Sequence, residues 1–245
     1  MQVLGIIGGS GLARLEAFEV ERQEAVTTPY GDASAPLSIG RFFGSPLMFL
    51  PRHGAAHTIP PHRVNYRANL WAMRNAGAEK VVGVAAVGGI SAFMAPGTMC
   101  VPDQIIDYTW GREHTLYEDN LDAVTHIDFT DPYCESLRRE LLGAAGAIGT
   151  IVHDGGTYGA TQGPRLETGA EIARLEHDGC DLVGMTGMPE ASLACELGLC
   201  YASLALSVNW AAGKTDGPIS MQEIKGHLER GMAGARDIIA ELARM

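Results

Sequence analysis

Several short segments place polar or glycine residues directly after apolar runs, where the edge of a sheet could present them to a ligand. The first is Gly8-Gly9-Ser10-Gly11. Clustered glycines let backbone N–H groups turn toward an anion, and the Ser10 hydroxyl adds a donor. The pattern is equally well explained as a tight turn at the end of a strand. It is not a dinucleotide fingerprint, because Arg14 stands at the third glycine position, and it is not a Walker loop, because no Gly-Lys-Ser/Thr follows.

A second segment, PRHGAAHTIPPH, begins at Pro51 and carries one arginine and several histidines. Arg52 offers a planar fork that matches two phosphate oxygens, and His53 and His57 suit an oxyanion or sugar hydroxyls. Ordinary loop histidines are the second interpretation. A metal site is the third, because the glycine and prolines between the rings disfavour one regular helix and no acidic cluster stands nearby.

Three later residues could also contact a ligand, and each also has an ordinary structural explanation. Glu167 stands near the start of a predicted helix, where the dipole favours a carboxylate. Thr186 lies between a buried strand and a helix, so its hydroxyl could bind an anion or simply cap the helix. Asn209 ends an apolar strand, a place where asparagine commonly forms a turn.

Composition excludes some partners and indicates a compartment. The formal net charge of −11 argues against nucleic acid, which needs a basic face, but does not argue against a small anion such as phosphate. The first residues lack the features of a signal peptide, and the apolar stretch Val81 to Ile90 is too short to cross a membrane, so we expect a cytoplasmic protein. The cysteines are odd in number and lack CxxC spacing. Reduced, mostly buried thiols are therefore expected, with a Cys195–Cys200 disulfide left open.

The elements that would position these residues alternate along the chain, without a repeat or a linker. Continuous apolar strands alternating with amphipathic helices predict a single α/β domain over residues 1–245, with a central mixed sheet covered by helices. The predicted strands are Val3 to Ile7, Leu37 to Phe42, Pro46 to Leu50, Lys80 to Val87, Thr98 to Val101, Asp181 to Gly184 and Tyr201 to Val208. The predicted helices are Val64 to Ala76, Pro132 to Ala145 with Asp131 as its cap, Pro189 to Leu197 and a C-terminal helix whose apolar face runs from Ile224 to Leu242.

Read together, six segments resemble the family of trimeric purine nucleoside phosphorylases and methylthioadenosine phosphorylases. They are GIIGGSGL, PRHGAAHTIPPHRVNYRANLWA, VPDQIIDYT, GGTYGATQGPRLETGAE, GMTGMPEASLACELG and YASLALSVNWAAG, and they cover most of the chain in the family's order. The resemblance implies one α/β domain with a partly barrel-like sheet, assembled as a homotrimer with its active site near a subunit boundary. It also implies a nucleoside and inorganic phosphate as the only small-molecule partners, with no metal and no organic cofactor.

The same resemblance assigns roles to individual residues. It implies a phosphate site made by Ser10, Arg52, His53, the Ala86 backbone and Thr186. Met185 resembles the residue beneath the ribose, His57 a catalytic group beside phosphate or sugar, and His126 a group reaching the 5′ end from a neighbouring subunit. Glu167 and Asn209 resemble the catalytic base-binding pair. The substrate-binding set implied by the family is completed by Leu166, Ala211 and Met221.

Two features of this set predict the substrate. Ionised Glu167 can only accept a hydrogen bond, which suits the N1–H of a 6-oxopurine, and Asn209 can donate toward O6 or N7. Adenine-selective relatives carry aspartate at the positions of Asn209 and Ala211. Met221 falls where relatives that cleave inosine place a histidine, and it suits a methylthio group, although a core methionine is an equally good explanation. The expected activity is phosphorolysis of 5′-methylthioinosine. The alternatives are a methylthioadenosine phosphorylase, a general inosine or guanosine phosphorylase, and a nucleoside-binding module without turnover.

Overall fold

The computed structural model describes residues 3–12, 14–119 and 121–245. In this part of the chain there are eleven strands and five α-helices. The strands are β1 (Val3–Gly8), β2 (Phe18–Glu24), β3 (Leu37–Phe42), β4 (Ser45–Pro51), β5 (Ala78–Gly89), β6 (Met99–Val101), β7 (Gln104–Asp107), β8 (Val152–Asp154), β9 (Thr157–Ala160), β10 (Leu182–Gly184) and β11 (Cys200–Trp210). The helices are α1 (Tyr66–Asn75), α2 (Glu135–Ala147), α3 (Gly169–His177), α4 (Gly187–Glu196) and α5 (Met221–Leu242).

The described strands form one mixed sheet that branches at β5. The main path runs β2-β3-β4-β1-β5-β10-β9-β7, while β11 pairs with β5 and leads to β6 and β8. Strand β1 is parallel to both β4 and β5, β11 is parallel to β5, and β10 runs antiparallel to β5. The prediction of a single α/β domain with a central mixed, partly barrel-like sheet is confirmed.

Both faces of the sheet are buried, which explains why its central strands read as continuous apolar runs. Ile6 and Ile7 are neighbours on β1, yet they enter different cores. Ile7 shares its core with Leu70 of α1, and Ile6 shares the other with Ile239 of α5. Because successive side chains of a strand alternate between faces, both residues can be fully buried.

The beginning of α2 differs from the prediction. The helix starts at Glu135 with Cys134 as its N-cap residue, so the proposed cap at Asp131 and a first turn at Pro132 are wrong. The backbone N–H of Cys134 donates to the carbonyl oxygen of Tyr201 at 2.7 Å. This bond holds Cys134 in an extended conformation against β11, and the helix begins only after it.

The same contact corrects the expectation for the cysteines. Cys134 and Cys200 form a disulfide with their Cα atoms 5.1 Å apart. They are 66 residues apart in sequence and meet because the residue before α2 is hydrogen-bonded to the start of β11. The expected reduced state is therefore wrong for this pair, and the Cys195–Cys200 alternative is wrong too. Cys100 and Cys180 are buried free thiols, and Cys195 is a partly buried one.

None of the helices in the described ranges is long and apolar enough to cross a membrane.

Candidate active site

One cavity of about 490 Å³ lies where β1, β4 and β11 end and where the chain leaves β10. Its volume is within the range of small-molecule sites. Every predicted site residue except His126 lines it. These residues are Ser10, Arg52, His53, His57, Ala86, Leu166, Glu167, Met185, Thr186, Asn209, Ala211 and Met221.

The glycine turn after β1 has a packing reason as well as a place in the cavity. A Cβ on Gly9 would lie 2.5 Å from the carbonyl oxygen of Val84 and 2.8 Å from Nη1 of Arg52, so only glycine fits there. Ser10 follows it, half-buried, with its Oγ 3.4 Å from Nε2 of His57. The turn therefore brings the backbone close to Arg52 and presents one hydroxyl to the cavity.

Arg52 does not offer its fork to a ligand in the way the sequence suggested. Its Nε and Nη2 donate to the two carboxylate oxygens of Glu190 at 2.6 and 2.7 Å, and Nη1 donates to the Val84 carbonyl at 2.9 Å. Tyr201 Oη also donates to Glu190, at 2.8 Å. Among the described residues, two of the five N–H bonds of Arg52 remain for a ligand. The bidentate edge is used by the buried carboxylate of Glu190, whose position in the sequence indicates only a helix residue.

Burial alone would lower the pKa of Arg52, but the ion pair with Glu190 raises it above its ordinary value, so the guanidinium stays charged. Both side chains are 1% exposed. A buried charge is tolerated only when it is paired and hydrogen-bonded, which Glu190 and Tyr201 provide here.

His53 is held as a neutral ring. Its Nδ1 lies 2.8 Å from the carbonyl oxygen of Ile59, and because a carbonyl only accepts, Nδ1 carries the proton. Burial, with the charge of Arg52, lowers the pKa of His53 to about 4. Its Nε2 is then an acceptor, suited to a hydroxyl of ribose or to a protonated phosphate oxygen. The neighbouring ring of His57 has its centroid 4.7 Å away, and His57 is exposed with a left-handed φ of 54°.

The metal interpretation of these histidines finds no support in the geometry. Across the described ranges, no group of three or more His, Cys, Asp or Glu side chains is arranged to hold an ion.

Glu167 is oriented by a neighbour rather than used to begin a helix. The hydroxyl of Thr161 donates to its Oε1 at 2.6 Å. Helix α3 is already capped, because Thr168 and Glu171 form a reciprocal capping box. Glu167 therefore has a carboxylate oxygen without a partner among the described residues, on the wall of the cavity.

Asn209 is not in a turn, since β11 continues to Trp210. The register between β11 and β5 shifts between Ser207 and Asn209, a β-bulge that re-aims the strand end. Nδ2 of Asn209 donates to the Trp210 carbonyl at 2.7 Å, so one amide hydrogen and the amide oxygen remain for a ligand. Ala211, 3% exposed, adds a small apolar surface beside it.

Thr186 occupies the N-cap position of α4 without forming a side-chain capping bond. Thr186 is 8% exposed and lines the cavity, so the capping explanation does not account for its hydroxyl. The residues after it, Met188 and Pro189, have non-helical dihedral angles, which delays the regular helix. Met185, half-buried, lines the cavity just before Thr186.

The remaining end of the cavity is apolar. Ile219, Met221, Ile224 and Leu228 line it from the start of α5 and the residues before it. Ile224 and Leu228 pack against the core, as the amphipathic pattern predicts, and they also line the cavity, so the first turns of α5 contribute to both. Met221 is 69% exposed at the first residue of the helix. His126 is exposed and does not reach the cavity of its own chain.

Fold and site thus define an α/β enzyme whose cavity is lined by polar side chains that follow strands, by one carboxylate and one carboxamide, and by apolar residues at the start of α5. Residues 3–244 match the model of the phosphorylase superfamily. A protein of Pseudomonas syringae pv. tomato, named probable S-methyl-5′-thioinosine phosphorylase, is 53% identical over 99% of this chain and 98% of its own length. A probable 6-oxopurine nucleoside phosphorylase of Moorella thermoacetica is 42% identical over 97% of this chain and 91% of its own.

Among solved structures, methylthioadenosine phosphorylase from Schistosoma mansoni in complex with adenine superposes with a TM-score of 0.94 at 32% identity, covering 100% of this chain and 91% of that one. The chain belongs to the phosphorylase superfamily and is an enzyme of the purine nucleoside phosphorylase type. The family resemblance of its sequence motifs is thereby confirmed.

Proposed function

We propose that this enzyme cleaves S-methyl-5′-thioinosine with inorganic phosphate, giving hypoxanthine and 5-methylthioribose 1-phosphate. The observation that supports the proposal is that one cavity is lined by Glu167, by Asn209 and by apolar residues at the start of α5. The names of the most similar relatives, which include probable S-methyl-5′-thioinosine phosphorylases at 47–53% identity, support the same substrate.

The base is assigned from donors and acceptors. A 6-oxopurine presents N1–H as a donor and O6 and N7 as acceptors, whereas adenine presents a bare N1 and a donating amino group. The free oxygen of Glu167 accepts from N1–H, and the remaining amide hydrogen of Asn209 donates to O6 or N7. Adenine would oppose a lone pair to the Glu167 carboxylate, and sites built this way reject the wrong partner by roughly 10⁴–10⁵-fold.

The 5′ substituent is assigned from the apolar end. Met221, Ile224 and Leu228 offer carbon and sulfur surface, which suits a methylthio group and gives a 5′-hydroxyl no hydrogen-bond partner from these three side chains. Leu166 lines the cavity beside Glu167 and would pack on the base, and Met185 would pack beneath the ribose.

Phosphate would be bound by hydroxyl and N–H donors. Ser10, Thr186, the backbone at Ala86 and the free N–H bonds of Arg52 would donate to its oxygens, and Nε2 of His53 would accept from its hydroxyl. His57, close to both Ser10 and His53, would act at the boundary of phosphate and ribose.

In the proposed mechanism the glycosidic bond loosens first, so positive charge grows on the ribose and negative charge on the purine. Asn209 stabilises the charge near N7 while Glu167 holds the base in register, and phosphate attacks C1′. Positioning and preorganised electrostatics therefore supply the rate enhancement, without a covalent enzyme intermediate. No step in it calls on a metal or an organic cofactor.

The decisive assay compares phosphate-dependent kcat/KM for methylthioinosine, methylthioadenosine and inosine on one enzyme preparation. Dominant cleavage of methylthioinosine is expected. Preference for methylthioadenosine would overturn the base assignment, and equal use of inosine would overturn the 5′ assignment. Tight binding without turnover would favour a nucleoside-binding module, and brisk cleavage by water alone would contradict the mechanism.

We also propose that residues 1–245 act as one domain within a cytoplasmic homotrimer. The position of His126 supports the assembly, because the resemblance assigns this exposed residue to a neighbour's 5′ pocket and it lies outside the cavity of its own chain. Light scattering of the purified enzyme tests the trimer, and a His126→Ala variant with unchanged KM for the nucleoside would contradict the shared pocket.

A further inference from the structure

Arg112 is a buried cation that the mechanism does not use. It lies in the loop after β7, and it is 8% exposed although the residues on either side of it are exposed. Within the described residues it forms no ion pair; its guanidinium instead donates to backbone carbonyls and neutral side chains. Burying a guanidinium is costly unless its donors are satisfied, so this arrangement calls for a reason.

The carbonyls it binds belong to the two segments that form the nucleoside site. Nη2 donates to the carbonyls of Thr161 and Gln162 at 3.2 and 2.8 Å, while Nη1 donates to those of Met185 and Met188 at 2.9 and 2.6 Å. Nε donates to Oε1 of Gln162 at 3.2 Å. The first segment carries the hydroxyl that orients Glu167, and the second brackets Thr186.

Arg112 is also connected, through Tyr66, to a third segment that lines the cavity. Nη1 of Arg112 lies 3.3 Å from Tyr66 Oη, which donates to the carbonyl of Pro61 at 3.0 Å, and the guanidinium sits 5.6 Å from the centre of the Tyr66 ring. Pro61 lines the cavity on the loop that also carries His53 and His57. One guanidinium thus connects three segments that contribute to the cavity: the one containing Thr161, the one from Met185 to Met188 and, through Tyr66, the loop that ends at Pro61.

We infer that Arg112 is a positioning residue that sets the distance between the base-binding carboxylate and the ribose and phosphate groups. It touches none of the reacting atoms and acts through Thr161 and Met185. The planar fork is needed because one side chain must reach two carbonyl pairs at once, which a lysine ammonium cannot do with the same geometry. The inference rests on the proposed function for the substrate, but it concerns selectivity and can be tested with whichever purine nucleoside the enzyme cleaves.

The test is Arg112→Met against Arg67→Met. Arg67 is a matched control, because it anchors the same loop through Glu113 and Glu118, and its one backbone contact there, to Thr115, lies away from the cavity. Both variants should lower the melting temperature. Only Arg112→Met should lower nucleoside kcat/KM, by about 10²-fold for a displacement near 1 Å, and reduce the preference for 6-oxopurine over 6-aminopurine nucleosides. Arg112→Lys should recover part of both losses.

Equal selectivity ratios in the two methionine variants, with equal loss of stability, would overturn the inference and leave Arg112 a structural residue. If Arg112→Met does not fold, Arg112→Lys against Arg67→Lys provides the same comparison. The wild-type enzyme reports separately on the proposed function: absence of phosphate-dependent cleavage there refutes the proposed function, whereas a change in the variants' ratio bears only on Arg112. The affinity of each variant for hypoxanthine, measured by calorimetry, reports how well the 6-oxopurine base is bound, even in a variant that does not turn over.

Discussion

Replacing Asn209 by aspartate should move the enzyme toward adenine nucleosides. The substitution removes the amide donor that the proposed function directs to O6 or N7 of the oxopurine, and it supplies an acceptor for the adenine amino group. Stranding a buried polar group costs about 1–3 kcal/mol, and a hydrogen bond to a charged group contributes about 1.5–3 kcal/mol. The two effects together should shift the ratio of kcat/KM for methylthioinosine over methylthioadenosine by about 10²-fold or more.

The structure also predicts a loss of total activity in this variant. Nδ2 of Asn209 lies 2.7 Å from the Trp210 carbonyl, so an oxygen in its place would face another oxygen. The carboxylate must rotate away, which disturbs its aim at the base. Glu167 would still oppose N1 of adenine, and the Asn209→Asp, Glu167→Gln double variant should therefore favour adenine further.

The assay is phosphate-dependent release of hypoxanthine and of adenine, followed in parallel for wild type, Asn209→Asp and Asn209→Ala. The alanine variant is the matched control, because it deletes the donor without adding an acceptor. It should lose methylthioinosine activity without gaining methylthioadenosine activity. If the aspartate and alanine variants give the same substrate ratio, residue 209 does not select the base by hydrogen bonding, and the base assignment is refuted.

Three further outcomes follow from the structure. Met221→His should raise inosine kcat/KM relative to methylthioinosine by up to about tenfold, the value of one added hydrogen bond, and an unchanged ratio would remove Met221 from the 5′ site. The pKa of His53 is about 6.5 in the unfolded state and about 4 in the folded state, so protonation on acidification favours the unfolded state. The corresponding part of the free energy of unfolding, about 3 kcal/mol, should be present above pH 6.5 and lost as the pH falls to 4. Urea unfolding should show this loss in the wild type and not in His53→Asn. Reducing the Cys134–Cys200 bond should lower the free energy of unfolding by about 4 kcal/mol, because the bond closes a loop of 66 residues. Cys195→Ser should change the free energy of unfolding little. Equal unfolding midpoints with and without reductant would contradict the disulfide.

The sequence predicted best those strands and helices whose burial requires a continuous or periodic run of apolar residues. Strand β1 and the part of β5 from Val81 onward are apolar because both faces of the sheet are covered, and the predicted positions of the two strands agree with the structure within a few residues. Strand β2 gave no such signal, since FEVERQE lies at the edge of the sheet with nearly every side chain exposed. Strands β8 and β9 are only three and four residues long and carry polar residues or glycine, so pattern alone does not separate them from loops.

The site shows the same limit in another form. Ser10, Arg52 and Thr186 could be predicted as site candidates because each follows a strand in a recognisable segment, and all three line the cavity. The partner of Arg52 could not be predicted, because Glu190 stands 138 residues later and meets it only through the fold. Arg112 was missed for a related reason: its partners are mainly backbone carbonyls, which have no signature in sequence. A pattern can identify side chains that face a ligand, but not the residues that hold them in place.

The partner of Arg52 also bears on how the proposed reaction uses charge. Glu190 neutralises Arg52, and His53 stays uncharged above pH 4, so in the proposed site these groups would offer phosphate directed hydrogen bonds with little net positive charge. Free cations there would bind phosphate tightly in the ground state and oppose the positive ribose of the transition state. In the proposed mechanism, donors without net charge would hold the phosphate in place and leave its own negative charge to stabilise the ribosyl cation, which is a transition-state interaction. A chain of net charge −11 can therefore use an anionic co-substrate without a basic patch, because the attraction that matters arises between the two substrates rather than between phosphate and protein.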